Sequence, residues 1–101
     1  MFAQVYSYQS DPSQTETDVQ FVKQVVLSDM QKVRGFQGLR LLVDRQTGRC
    51  LGISYWATEA DARAAAEQSA NPPPPPAGVQ HPSISNVSVE TYEVLIDVPP
   101  A

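Results

Sequence analysis

The side chains in this sequence that could do chemistry are few and scattered. His81 is the only histidine, and so the only side chain whose ordinary pKa lies near neutrality. In a substrate pocket it would act as a general base; on an exposed loop beside Pro82 it would do nothing. Tyr6, Tyr8 and Tyr92 offer phenolic hydroxyls that can bond a carbonyl or phenol while their rings line an apolar wall. Trp56, the only tryptophan, would stack on a planar guest or anchor a core. Cys50 is the only cysteine. With no evident histidine or cation to lower its pKa, it reads as a small buried apolar residue.

One histidine and one cysteine cannot supply a zinc ligand set. A Ser-His-Asp set cannot be assembled around a single loop histidine. Glu59 and Asp61 sit where a helix opens, and acids there complement the helix dipole rather than form a catalytic pair. The ligand-binding candidates are therefore Tyr6, Trp56, Tyr92 and His81. His81 is also the catalytic candidate, and the residues call for no metal or other cofactor.

These side chains must be positioned by short elements. FAQVYSYQ, residues 2–9, alternates as a strand does: Phe2, Tyr6 and Tyr8 share one side, Ala3, Val5 and Ser7 the other. Asp11-Pro12 breaks it. Ser13-Gln14-Thr15-Glu16 has capping-box spacing. Val19, Val22, Val26, Met30 and Val33 then form a stripe that predicts a helix from about 14 to about 33, closed by a left-handed Gly35. Residues 36–56 predict an antiparallel hairpin turning at Arg45-Gln46-Thr47-Gly48. Arg40 is expected to pair with Glu93 across strands. Thr58 opens an alanine-rich second helix, thin enough to lie close to a sheet.

SANPPPPPAGVQHPSISN, residues 69–86, cannot be helix or central strand. Five consecutive prolines favour polyproline II. The segment reads as a stiff connection within the domain; docking of the prolines to an aromatic groove is the alternative. VSVETYEVLIDV, residues 87–98, predicts a last strand with a bulge near Glu90-Thr91, because its apolar residues change parity there. Strand, helix, strand, strand, helix, strand is the ferredoxin-like β-α-β-β-α-β layout, an α+β fold with four antiparallel strands and two helices on one face.

The chain has 101 residues, enough for one domain over 1–101. Its net charge of −4 argues against nucleic acid and anionic membrane surfaces as partners. A lone cysteine makes no intrachain disulfide, the N-terminus does not read as a signal peptide, and no apolar run is long enough to span a membrane. The expectation is a cytoplasmic protein.

Both helices fall on one sheet face, and the other face needs a cover if it is apolar. Phe36, Leu42, Cys50 and Trp56 occupy the parity opposite Leu51, Ile53 and Tyr55, so neither parity is simply charged. A large apolar patch marks an interface. The expectation is a two-fold homodimer packed sheet on sheet; the alternative is a monomer whose open face is covered by the proline loop.

Gly35-Phe36-Gln37-Gly38 entering a strand, Asp44-Arg45 and Gly48 at the turn, Ser54-Tyr55-Trp56 before an acid-flanked helix, and the closing VETYEVLIDV together resemble the antibiotic biosynthesis monooxygenase-like proteins of the dimeric α/β-barrel superfamily. About half the chain carries this resemblance. It implies a homodimer whose sheets form a barrel, with a cavity between sheet and helices in each subunit. It also implies a small apolar or aromatic ligand, and oxygenation without metal or flavin in some members. Members that degrade haem use an asparagine on the first strand and a tryptophan and histidine on or after the second helix. Here Tyr6 and Ser7 stand on the first strand and alanines on that helix, which argues against haem degradation. Whether the chain is an enzyme stays open, and a non-catalytic dimeric interaction or scaffold module is the competing reading.

Overall fold

A computed structural model describes residues 1–70 and 83–100 of the chain, with Ser69 and Ala70 as backbone only. Most of the proline-rich connection, including His81, lies outside the described residues. The strands are β1 (Phe2–Gln9), β2 (Phe36–Val43), β3 (Arg49–Trp56) and β4 (Ser85–Glu93). They form one antiparallel sheet in the order β2-β3-β1-β4. The β-α-β-β-α-β order is the ferredoxin-like arrangement expected from the sequence.

The first helix begins as a single 3-10 turn, Pro12–Gln14, and continues as α1 (Thr15–Phe21), a π-turn over Val22–Val26, and α2 (Leu27–Gln31). Its start differs from the expected capping box. Asp11 caps it, accepting from Ser13 N at 2.8 Å and from Ser13 Oγ at 2.7 Å. Glu16 instead accepts from Arg45 Nη1 at 3.3 Å. The buried stripe is also not the valine stripe of the sequence. Thr15, Asp18 and Val25 are buried, whereas Val19, Val22, Val26, Met30 and Val33 are only partly so. A π-turn adds a residue to the winding, so a stripe counted at α-helical steps drifts off the inner face.

Gly35 closes the connection to β2 with φ +85°, as a left-handed position requires, and Gly48 turns the β2–β3 hairpin with φ +80°. Helix α3 (Glu59–Ala70) opens on Thr58, whose Oγ1 accepts from Asp61 N at 3.1 Å.

The register sorts the side chains. Phe2, Gln4, Tyr6 and Tyr8 of β1 pair with Trp56, Ser54, Gly52 and Cys50 of β3, and Gln4 Nε2 donates to the Ala62 carbonyl of α3 at 3.1 Å. That face is therefore the one the helices cover. Two sequence expectations about faces are corrected here. Cys50, Trp56 and Phe36 lie under the helices, and Leu42 lies on the open face with Leu51, Ile53 and Tyr55. The parity count fails at Gly38, where the β2–β3 register slips between Phe36 and Gly38. On β4 the irregularity falls between the partners of Ser7 and Gln9, near the positive-φ Asn86, not at Glu90-Thr91. The strand simply ends at Glu93, leaving Val89 and Tyr92 on opposite faces.

Arg40 and Glu93 stand on opposite edge strands and cannot pair. Arg40 lies over the Tyr55 ring instead, 5.8 Å from its centroid.

The core sits beneath α3. Trp56, 0% exposed, packs with Ala62 and Ala65, with Phe2, Met30, Val33 and Phe36 around them. The small alanines let the helix approach the indole. At the other edge the chain is bare: all of β4 is exposed, and beyond it Leu95 and Ile96 are 82% and 83% exposed.

Candidate functional site

Alternation on β1 places Tyr6 and Tyr8 two residues apart on the helix-covered face. Their rings meet edge-on, centroids 5.7 Å apart at 61°. Tyr8 pairs across the sheet with Cys50. The Cys50 thiol donates to the Gly48 carbonyl at 3.4 Å, and Ser10 N donates to the same carbonyl at 2.9 Å. The hairpin turn and the end of β1 are thus stitched at one point. A Cβ at Gly48 would overlap the Ser10 carbonyl there, so only glycine fits.

Asp18 of α1 comes down onto this end of the sheet. It is 1% exposed, and neither carboxylate oxygen has a hydrogen-bond partner among the described residues. The buried Ser10 Oγ also lacks a partner among the described residues. Unpaired buried polar atoms are uncommon in folded proteins and each asks for an explanation.

Electrostatics follow from burial. Desolvation pushes the Tyr8 phenol far above the ordinary tyrosine value, and the neighbouring Cys50 and the charge of Asp18 push it the same way. Burial raises Tyr6 as well. It also raises the Cys50 thiol, against the hydrogen bond from Tyr8 and with the charge of Asp18. Both phenols are therefore neutral donors at neutral pH, and the thiol is not a nucleophile.

The sequence candidates separate in space. Tyr6 and Trp56 share the helix-covered face, but Trp56 is sealed in the core, its Nε1 donating to Ser54 Oγ at 2.8 Å. Tyr92 is on the open face, half-exposed, where its hydroxyl bonds Glu90 and that bond raises its pKa. His81 lies outside the described residues. Sequence reasoning missed Asp18. Its position one step before the first valine of the stripe was the available signal. Also on the open side, a groove of about 240 Å³ is bordered by Met1, Gly38, Arg40, Tyr55 and Asp97.

No group of three or more His, Cys, Asp or Glu gathers to hold a metal ion among the described residues, and no helix among them is long and apolar enough to cross a membrane.

No protein-family model matches the chain. Over 70 residues, 69% of its length, it is 34% identical to the uncharacterized protein Rv2558 of Mycobacterium tuberculosis. Over 68 residues it is 35% identical to the uncharacterized protein Rv2557 of the same organism. The matched part spans 30% of the length of each of these relatives. Among solved structures, it is similar to the heme-degrader MhuD of Mycobacterium tuberculosis with two hemes bound in its active site. The TM-score is 0.70 at 17% identity, covering 98% of this chain and 100% of that one. It is similar to a Deinococcus radiodurans protein assigned as an antibiotic biosynthesis monooxygenase, with TM-score 0.67, 11% identity and 100% and 99% coverage. It is also similar to the Streptomyces coelicolor monooxygenase ActVA-Orf6 in complex with nanaomycin D, with TM-score 0.61, 18% identity and 99% and 92% coverage. At these identities the likeness establishes the fold.

Proposed function

We propose, from a fold shared with the antibiotic biosynthesis monooxygenase-like proteins, that the chain is one domain over 1–101. It works as a two-fold homodimer and binds a small apolar or aromatic molecule between sheet and helices. The observation that carries the pocket is buried Asp18 and Ser10, whose carboxylate and hydroxyl oxygens lack partners among the described residues. The dimer is supported by the exposed Leu95, Ile96 and Val98 beyond β4 and by Leu42, Leu51 and Ile53 on the open face. The lone Cys50 suits a reducing compartment such as the cytoplasm.

Tyr6 and Tyr8 line the pocket, and Trp56 holds its floor in place. Tyr92 would meet a guest only across the partner's sheet, and His81 would meet one only from the connection between α3 and β4. Where the bound molecule can be deprotonated, the reaction is cofactor-independent oxygenation. The substrate itself then activates dioxygen, and the protein supplies a dry site, positioning and a proton acceptor.

The second reading is a non-catalytic dimeric module. The sealed Trp56 core and the alanine face of α3, which brings no reactive group, favour it. A thermal-shift screen against phenolic and quinone-like compounds, with the native chain and Tyr6→Ala, separates the two. The first reading expects midpoint shifts that Tyr6→Ala diminishes. No shift at saturating ligand leaves the second.

A further inference from the structure

The buried polar atoms left without partners among the described residues are Ser10 Oγ and both carboxylate oxygens of Asp18. Leaving a carboxylate desolvated without a counter-group is costly, and two oxygens without donors define what is missing: a donor, preferably a positive one. The surroundings narrow its chemistry. Asp18 comes down beside Tyr8 and Cys50, and the Tyr6 ring stands edge-on to that of Tyr8. A carboxylate near an aromatic ring suits an organic ammonium group, which pairs with the acid while its apolar part meets the ring. Phenol and thiol are poor ligands for hard cations such as calcium or magnesium. The neighbours of Asp18 farther along the first helix are Val22 and the buried Val25, so the rest of the guest is apolar. The π-turn Val22–Val26 follows within a turn of Asp18, and such turns concentrate at functional sites. The net charge of −4 favours the approach of a cation.

We propose that Asp18, backed by Tyr8 and Tyr6, anchors the protonated amino group of a small aromatic or apolar amine lodged between the first helix and the sheet. The inference rests on reading that layer as a ligand pocket, and adds the charge of the ligand and the residue that selects it.

Calorimetric titration of the full chain with phenethylamine, phenethyl alcohol and propylbenzene tests it, because the three share a shape and differ in charge and donor. The amine is expected to bind the native protein at least about tenfold more tightly than the alcohol. Asp18→Asn, of the same size and uncharged, is expected to bring the two within about threefold. Equal binding of amine, alcohol and hydrocarbon to the native protein overturns the anchor and leaves the pocket standing. No binding of any of the three at millimolar concentration overturns the pocket and the anchor together. Binding of ammonium chloride as tight as that of the amine overturns the organic ligand class. If Asp18→Asn does not fold, the ranking on the native protein still decides.

Discussion

Trp56 is the residue on which the helix-covered layer closes, and its replacement has a calculable effect. The indole is wholly buried, meets Phe36 edge-on at 5.5 Å, and packs on Ala62 and Ala65. Alanines cannot collapse into the space, so Trp56→Ala is expected to cost about 3–5 kcal/mol. That is a large share of the roughly 5–15 kcal/mol that hold a domain of this size. Trp56→Phe keeps a ring but removes the donor to Ser54 Oγ, a hydroxyl 2% exposed. Stranding it adds about 1–3 kcal/mol to the lost area. Replacing Ser54 by alanine in the Trp56→Phe background removes the stranded hydroxyl and is expected to restore about 1 kcal/mol. Urea unfolding followed by far-UV circular dichroism at fixed protein concentration reads these numbers. A loss of about 4 kcal/mol moves the midpoint by roughly 2 M at a typical slope. The reasoning is refuted if Trp56→Ala costs under about 1 kcal/mol, or if Ser54→Ala destabilises the Trp56→Phe background further.

Three further outcomes follow from the same geometry. Gly48→Ala forces a side chain into φ +80° and onto the Ser10 carbonyl; thermal unfolding should show a midpoint lower by about 5 °C or more. The folded pKa values of Tyr6 and Tyr8 are raised, so their contribution is whole below the ordinary tyrosine value near pH 10 and falls as pH climbs above it. Absorbance titration at about 295 nm should therefore show those phenols ionising together with alkaline unfolding, and Tyr8→Phe should flatten the loss. Cys50, buried and with its thiol pKa raised, should react with a disulfide reagent in the native protein at pH 8 at least about a hundredfold more slowly than in urea; equal rates would contradict its placement.

Much of this layout was legible in the chain itself. Alternation in FAQVYSYQ assigned Tyr6 and Tyr8 to one face, Gly35 and Gly48 marked the two positive-φ turns, and Thr58 marked the start of α3. What stayed hidden was register. A slip at Gly38 parted Leu42 from Phe36, leaving Phe36 with Trp56 and sending Leu42 to the open face, and on the first helix Asp18 and Val25 are buried instead of the valine stripe. Gly38 inside the strand was the mark of the bulge; the π-turn has no such mark, because it is a local response to packing between elements distant in sequence. The site suffered most. An acid near the start of a helix is ordinarily a dipole partner in water, and only the closure of α1 over Tyr8 makes Asp18 a buried one. Tyr92 failed to join Tyr6 for a simpler reason: an odd spacing from Val89 sends it to the open face.

The open face and the bare β4 edge bear most directly on the proposed assembly. Leu95 and Ile96 are exposed to a degree that water does not favour, and Leu42 is exposed on the open face. A second copy is the proposed cover. Sedimentation equilibrium of the purified chain at micromolar concentration should return twice the 11.1 kDa chain mass. A particle of 11.1 kDa across that range would contradict it.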